Sequence, residues 1–183
     1  MSLGEMVDIL DDNGLVIATI PRAEAEAHNH TTQNVLVFVF NSRGEVWLQL
    51  RPKSKNHYPG MWDVSACGGL MSGEEPEAAA MRELNEETGL ANVTLYYVET
   101  FMNVFPGDNG EERRRLSHVY ISQSEGEPQP NEEVDAFKLW NPSDLLGDID
   151  VHPNMYIPSI AAELQIALRG YRQFFDEAPK DRV

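Results

Sequence analysis

Cysteine and positive charge are both scarce in this sequence. Cys67 is the single cysteine, which excludes an internal disulfide and suits a reducing compartment. Lysine and arginine together number 14 against 30 aspartates and glutamates, giving a formal net charge of −16 at pH 7. Such a chain would repel nucleic acid and anionic membranes, so we expect neither as a partner. An anionic substrate would need cations to bridge it to the protein.

Long apolar runs and internal repeats are also absent. No window approaches the roughly 18 to 20 apolar residues of a membrane-spanning helix, and no signal peptide is recognisable. These absences favour a cytoplasmic location. Because no linker is long enough to divide the chain of 183 residues, the sequence predicts a single domain over residues 1–183.

Short apolar segments alternate with turn sequences in the first third of the chain. Residues 6–10 and 15–20 flank the turn sequence Asp11-Asp12-Asn13-Gly14 and predict an N-terminal β-hairpin. Residues 35–40 are uniformly apolar and predict a central strand. Residues 45–50 alternate between polar and apolar, so we expect them to pair with that strand as a second hairpin.

The rest of the chain adds strands and a closing helix. Residues 60–67, 93–105, 116–122 and 137–140 predict further strands, with a polar turn at 106–112. Apolar residues at helical spacing over residues 157–175 predict a C-terminal helix. The resulting fold class is α/β (α+β), a mixed sheet with helices on both faces and an N-terminal hairpin.

The segment from Gly68 to Leu90 predicts a loop followed by a helix. Ser72 and Glu75 form a capping-box pattern, and Pro76 suits the first helical turn. Strong helix formers follow, and Gly89 is expected to end the helix.

Three glutamates share one face of this predicted helix. Glu83, Glu86 and Glu87 are spaced at i, i+3 and i+4, which brings their carboxylates close together. Like charges at this spacing oppose folding unless a cation lies among them. The plain interpretation is a solvated acidic face, and the functional one is a cation site.

The surroundings of the glutamates match a known motif. The segment reads G-x5-E-x7-R-E-L-x-E-E-x-G-L from Gly68 to Leu90, with every defining position filled. This pattern resembles the Nudix box, a loop, helix and loop that binds divalent cations and hydrolyses a diphosphate linked to another group. The resemblance implies a Nudix-like α/β/α sandwich and a diphosphate-cleaving hydrolase that uses Mg²⁺, with Mn²⁺ as the alternative, to activate water.

The resemblance also implies a role for each residue of the box. It assigns the metal to four carboxylates, with Glu83, Glu86 and Glu87 as inner ligands and Glu74 as an outer member of the cluster. Arg82 would orient these glutamates by ion pairing, while Gly68 and Gly89 would serve the backbone geometry. The general base stays open among Glu83, Glu87 and Glu133, a glutamate on a later loop.

A basic segment precedes the box in this acidic chain. Residues 51–59 read RPKSKNHYP, which suits either an exposed loop or a clasp for phosphate. Trp62 and Phe105 near the expected pocket could stack on a base, although aromatic residues of strands usually lie in the core.

A second resemblance covers roughly residues 5–175. The sequence is similar to type 1 isopentenyl-diphosphate isomerases and the hydrolases grouped with them, and this implies that Arg51 and Lys55 contact the substrate's diphosphate. Cys67 matches the isomerase cysteine. Three isomerase features are replaced, however. Gly69 stands in place of a histidine, and Arg113-Arg114-Arg115 stand in place of a Glu-x-Glu pair. A further isomerase histidine would fall near Thr32, where this sequence has threonine. Without its acid partner, Cys67 is expected to be a small buried residue.

Three functions therefore stay open from the sequence. The first is a hydrolase of a nucleoside diphosphate-linked or related substrate, the second is an isopentenyl-diphosphate isomerase using Cys67, and the third is a binding module without catalysis. Many members of the family form dimers, and the sequence leaves a homodimer open.

Overall fold

The computed structural model describes residues 4–107 and 110–176. Within these ranges the strands are β1 (Met6–Leu10), β2 (Val16–Pro21), β3 (Thr32–Phe40), β4 (Val46–Leu50), β5 (Trp62–Asp63), β6 (Ala66–Gly69), β7 (Tyr96–Pro106), β8 (Glu112–Gln123) and β9 (Ala136–Trp140). The α-helices are α1 (Arg22–Ala27), α2 (Pro76–Thr88), α3 (Pro142–Val151) and α4 (Ile160–Tyr171). A 3-10 turn lies at Pro153–Met155 and a π-helical turn at Arg172–Asp176.

The predicted N-terminal hairpin is confirmed. β1 and β2 pair antiparallel as a two-stranded sheet, and Asp11 closes the turn by accepting hydrogen bonds from the backbone N–H groups of Asn13 and Leu15. The short helix α1 follows directly.

The central strand β3 is confirmed, but its partners differ from the prediction. β3 lies parallel to β8 over nine residue pairs, from Thr32 with Arg115 to Phe40 with Gln123. Its other edge pairs with β6, and with β4 only at Phe40 and Val46. The predicted β3–β4 hairpin is confirmed at its turn, where the backbone N–H of Asn41 donates to the carbonyl of Glu45, but the pairing is short because β4 then continues beside β5 and β9.

The two faces of β3 build two separate cores. Leu36, Phe38 and Phe40 pack with α3 and α4, whereas Val35, Val37 and Val39 pack with α2. This alternation is why the whole segment had to be apolar, since neither face of the strand meets water. Helices on both faces of a mixed sheet confirm the predicted fold class.

Helix α2 ends as predicted but begins differently. Gly89 adopts a left-handed conformation with φ of 70°, which a glycine permits at a helix C-terminus. The N-cap is Glu75, without a side-chain cap, so the predicted capping box is wrong. Ser72 instead donates a hydrogen bond to Asp8 Oδ1 at 2.7 Å, which ties the loop before α2 to the hairpin.

Several other strand and helix boundaries differ from those predicted from the sequence. The strand predicted over residues 60–67 is two short strands, β5 and β6, and the C-terminal helix α4 begins at Ile160. Part of the predicted turn at 106–112 lies outside the described residues, as do residues 1–3 and 177–183 of the predicted domain. Within the described ranges, no helix is both long and apolar enough to cross a membrane.

Candidate active site

A cleft of about 440 Å³ lies beside α2, where several other parts of the chain meet it. These parts include β1, α1, the start of β3, the loop after β4, β6, β8 and the loop before β9. α2 supplies carboxylates to the cleft, while α1, the loop after β4, and β8 supply cationic side chains. The cleft therefore combines the two kinds of charge that a metal-bridged anion requires.

The predicted metal-binding glutamates of α2 all line the cleft, but to different depths. Glu83 and Glu87 are buried, with 9% and 3% of their surfaces exposed, while the side chain of Glu86 is half exposed. Two carboxylates held this far from water make strong cation ligands, because their charge has little solvent to stabilise it.

Arg82 lies among the carboxylates as the predicted orienting residue. Its guanidinium contacts Glu83 Oε1 at 2.6 Å and Glu86 Oε2 at 3.3 Å. Both oxygens of Glu74 also bind it, each at 2.9 Å. These hydrogen bonds, first of all those to Glu74, raise the pKa of Arg82, while the bonds from Arg82 lower the pKa of Glu74. Glu74 thus anchors Arg82 and does not line the cleft itself.

Glu83 is packed against the backbone of Gly68. A β-carbon at residue 68 would lie 2.0 Å from Glu83 Oε1, so only glycine leaves room for this carboxylate. Burial raises the pKa of Glu83, partly offset by the hydrogen bond from Arg82.

Glu87 is fixed by two donors on one oxygen. Its Oε2 accepts hydrogen bonds from Gln49 Nε2 and from the backbone N–H of Cys67, both at 2.8 Å. Burial raises its pKa to about 8 despite these bonds. A nearby cation would reverse that shift, since it favours the ionised form.

The glutamates of α2 fit a hard divalent cation. Magnesium prefers oxygen ligands from rigid positions, and Glu83, Glu86 and Glu87 supply these from adjacent helical turns. The space above Gly68 that a β-carbon would fill keeps the carboxylate of Glu83 at the cleft. Within residues 4–107 and 110–176, no three His, Cys, Asp or Glu side chains are already gathered as a metal cluster. Arg82 is the cation that holds Glu83 and Glu86 in the present arrangement.

The two predicted phosphate-binding residues line the cleft as well. Arg51 Nη1 contacts Asp63 Oδ2 at 2.9 Å, and its Nε donates to the carbonyl of His57. Asp63 therefore positions Arg51, a role that its place in the sequence did not reveal. Lys55 Nζ lies 3.2 Å from Glu133 Oε2, so the predicted clasp residue and a predicted base form a half-exposed ion pair.

Further arginines in the cleft were not predicted as site residues. Arg22 and Arg115 line it, and Arg113 lines a cavity that adjoins it. Burial lowers the pKa of Arg115, and the charge of Arg113 lowers it further, so an anion between them would be favoured. The available signal was the alternation of β8, which places Arg113 and Arg115 on one face and Arg114 on the other.

Gly69 and Arg22 occupy the place where the isomerase resemblance would put a metal-binding histidine. Arg22 Nη2 lies 3.3 Å from the carbonyl oxygen of Gly69, and a β-carbon at residue 69 would lie 2.2 Å from Arg22 Nη1. A larger residue therefore could not enter without displacing Arg22.

Cys67 is more than the small buried residue expected from the sequence. It is partly exposed and lines both the cleft and the adjoining cavity, and its Sγ donates to Asp63 Oδ2 at 3.4 Å. Burial, reinforced by the charges of Asp63 and Glu87, raises the pKa of this thiol well above its usual value. The thiol is therefore neutral near pH 7.

The adjoining cavity is smaller, at about 140 Å³, and has a more apolar wall. It shares Arg51, His57 and Arg115 with the cleft, and Phe105 forms part of its wall. Trp62, the other aromatic residue considered for stacking, packs against the core instead.

Comparisons with known proteins agree with this geometry. The family model described as the NUDIX domain matches residues 30–158. An isopentenyl-diphosphate Delta-isomerase of Pectobacterium atrosepticum is 30% identical over 157 residues, which cover 85% of this chain and 87% of the relative. An uncharacterized Nudix hydrolase of Pseudomonas aeruginosa is 34% identical over 104 residues, which cover 57% of this chain and 62% of the relative.

The fold is also similar to solved structures. A crystal structure from Deinococcus radiodurans superposes with a TM-score of 0.75 at 24% identity, covering 88% of this chain and 98% of that one. At this identity the similarity supports the fold.

Proposed function

This chain belongs to the NUDIX domain family, and from that premise we propose that it is a Mg²⁺-dependent hydrolase of a diphosphate bond. The observation that carries the proposal is the division of charge in the cleft. Buried carboxylates at Glu83 and Glu87 share one cavity with Arg51 and Arg115. A substrate diphosphate bridged to the carboxylates by a metal and bound directly by the arginines would satisfy both sets of charges.

The roles of the box residues follow from their contacts. Glu83, Glu86 and Glu87 would hold the metal, and Arg82 would keep Glu83 and Glu86 in place through its ion pairs. When bound, Mg²⁺ would neutralise charge on the diphosphate and lower the pKa of a water molecule. Mn²⁺ could take the same oxygen ligands.

The Lys55–Glu133 ion pair suggests how substrate binding supplies a base. Lys55 and Glu133 are partly exposed, and an ion pair of this kind contributes little free energy. Binding of a substrate phosphate to Lys55 would release Glu133 Oε2, which could then accept a proton from the attacking water. Glu133 is also close enough to raise the pKa of Glu83 through its charge, which supports a location near the metal ligands.

A second candidate function is isomerisation of isopentenyl diphosphate with Cys67 as the acid. The neutral thiol of Cys67 beside Asp63 favours it, as does the similarity to a protein named as this isomerase. Two replacements argue against it. Gly69, with Arg22 packed beside it, stands where the isomerase resemblance implies a metal-binding histidine. Arg113 and Arg115 stand where it implies a Glu-x-Glu pair.

The test is a panel of nucleoside diphosphates, nucleoside triphosphates, nucleotide sugars and isopentenyl diphosphate. Release of phosphate and diphosphate would be measured with Mg²⁺, with Mn²⁺ and with chelator, and the five-carbon product would be examined for a shifted double bond. We expect metal-dependent release from part of the panel. An isomerised product without release would establish the second candidate, and tight binding without turnover would indicate a binding module.

A further inference from the structure

The segment of residues 129–135, which precedes β9, lies against the C-terminal end of α2. The last four carbonyl groups of a helix have no partner within it, and in α2 they belong to residues 85–88. The backbone N–H of Gly89 donates to the first of these carbonyls. The backbone N–H of Gln129 donates to the last, on Thr88, at 3.1 Å. The two carbonyls between them belong to residues that carry metal-binding carboxylates.

A single side chain, Asn131, supplies the donor for both of these carbonyls. Its Nδ2 donates to the carbonyl of Glu86 at 2.8 Å and to that of Glu87 at 3.0 Å. At the other end of the amide, Asn131 Oδ1 accepts a hydrogen bond from the backbone N–H of Glu133 at 2.7 Å. One amide therefore joins the helical turn that carries two metal-binding glutamates to the backbone of the glutamate proposed as the base.

The ion pair of Glu133 with Lys55 cannot by itself hold this base in place during the reaction. On the proposed function, on which this inference rests, the pair breaks when Lys55 binds a substrate phosphate. The position of Glu133 beside the cleft then depends on its backbone. On one side the backbone N–H of Asp135 donates to the carbonyl of Leu50 at 3.0 Å, and on the other side Asn131 connects the backbone to α2.

We infer that Asn131 is a positioning residue, which sets the distance between Glu133 and the metal-binding carboxylates of α2. A general base must lie within hydrogen-bond reach of the water that it deprotonates, and a displacement of about 1 Å can lower a rate on the order of 100-fold. Among the described residues, Glu133 lines the cleft and Asn131 does not, so Asn131 acts through Glu133. Asparagine suits this role because its amide both donates and accepts hydrogen bonds.

The main test is a double-mutant cycle between Asn131→Ala and Glu133→Gln, measured with a substrate that wild type hydrolyses in Mg²⁺. We expect Asn131→Ala to lower kcat roughly tenfold with KM within about twofold of wild type, and Glu133→Gln to lower kcat roughly 100-fold. In the Glu133→Gln background, Asn131→Ala should lower kcat by less than about twofold, because the residue through which it acts is already lost. A purely structural role would give the same loss in both backgrounds.

Two further variants separate the two ends of the Asn131 amide from a general effect on the segment. Asn131→Asp keeps the acceptor for the Glu133 N–H but loses the donor to α2, so it should also lower kcat roughly tenfold. Wild-type kcat in Asn131→Asp would overturn the inference. Gln129→Ala is the matched control and should keep wild-type kcat, because its side-chain amide bonds the nearby carbonyl of Glu127 and its backbone bond to Thr88 survives.

Hydrogen exchange tests the positioning without turnover. The backbone N–H groups of Gln129 and Asp135 donate to Thr88 and Leu50, and Asn131→Ala removes neither acceptor. Both groups should nevertheless exchange roughly tenfold faster in Asn131→Ala than in wild type, because the segment is released from α2. Unchanged exchange at both groups would overturn the inference.

The outcomes separate this inference from the proposed function. Metal-dependent hydrolysis with equal losses in the two backgrounds, or with full activity in Glu133→Gln, would overturn the inference and leave the hydrolase standing. If wild type hydrolyses no member of the panel, the hydrolase fails and hydrogen exchange decides the inference. Faster exchange at Gln129 and Asp135 would then retain Asn131 as the residue that fixes Glu133 on α2.

Discussion

The carboxylate of Glu83 rests on the bare backbone of Gly68, with Oε1 only 2.0 Å from where a β-carbon would be. The two residues belong to β6 and α2, and their contact sets how closely the helix packs on the sheet. Gly68, the first glycine of the box, and Glu83 on its helix therefore act as one structural unit. This contact explains physically why the motif begins with glycine.

Gly68→Ala should disable the site without unfolding the protein. The added methyl group would push the Glu83 carboxylate out of its position, and we expect kcat/KM for the diphosphate substrate to fall by at least roughly tenfold. Gly147→Ala is the control, because Gly147 is an exposed position in α3 with no atom within 4 Å of the added carbon. That variant should keep full activity and gain up to about 1 kcal/mol of stability. Equal activity of the two variants would contradict the role given to Gly68.

Glu87→Gln should abolish most turnover while preserving the fold. The glutamine carbonyl can still accept the hydrogen bonds from Gln49 and from the Cys67 backbone, but the charge that holds the metal is lost. We expect kcat to fall on the order of 100-fold, with little change in melting temperature. Glu77→Gln, on the exposed side of the same helix, should retain wild-type kcat. Activity in Glu87→Gln within twofold of wild type would remove Glu87 from the metal site.

Arg115→Gln should weaken substrate binding, whereas Arg114→Gln should not. Arg115 lines both cavities, while Arg114 points the other way and pairs with the exposed Asp12. We expect a rise in KM of roughly tenfold for Arg115→Gln and almost none for Arg114→Gln, because a buried cation binds phosphate more strongly than an exposed one. Steady-state kinetics at low ionic strength would measure both. Equal KM values in the two variants would argue against a phosphate role for Arg115.

Cys67→Ala should leave hydrolysis nearly unchanged. The raised pKa of the thiol keeps it neutral, and the backbone N–H of residue 67, which binds Glu87, survives the substitution. We expect slow alkylation of wild-type Cys67 near pH 7, since the thiolate is the reactive form. Loss of hydrolysis in Cys67→Ala would contradict this prediction, and loss of an isomerised five-carbon product in the same variant would instead support the isomerase reaction.

Stability should depend on pH through Glu163. Burial, reinforced by the charge of Asp63, raises the pKa of Glu163, a residue of α4, to about 7 from its usual value of about 4.5. The folded protein keeps this proton where the unfolded chain loses it, so the group opposes folding increasingly as pH rises from about 4.5 to 7. The effect is constant at higher pH.

The variant Glu163→Gln isolates the contribution of this ionisation to the free energy of unfolding. Glu163→Gln cannot ionise, so its free energy of unfolding relative to wild type should increase by on the order of 2 kcal/mol between pH 5 and pH 8. Urea unfolding of both proteins at the two pH values would measure it. A difference between the proteins that does not change with pH would contradict the raised pKa.

Local patterns predicted those parts of the fold that local forces decide. The apolar run of β3, the Asp11–Gly14 turn and the helix end at Gly89 were predicted because each depends on residues close together in the chain. The long pairing of β3 with β8 was not predicted, because it joins segments 83 residues apart, as in Thr32 with Arg115. Proximity in sequence indicated only β4, which pairs with β3 at Phe40 and Val46.

The residues of the site also fall into those that local patterns predicted and those that they did not. The motif located Glu83, Glu86 and Glu87, since a single helix carries all three. Asp63 and Glu163 went unnoticed, because each matters only through a partner on another element, Arg51 for the first and Asn103 for the second. A pattern within one segment cannot reveal a contact that folding creates between segments.

The parallel pairing of β3 and β8 also bears on how the protein is made. During synthesis β3 emerges early, but its long partner edge is not available until the chain has been extended through Gln123. Until then one edge of β3 lacks its hydrogen-bond partner, and α2 has only part of the sheet to pack on. Contacts between such distant segments form slowly, so the nascent chain passes through an aggregation-prone interval that chaperones would shorten.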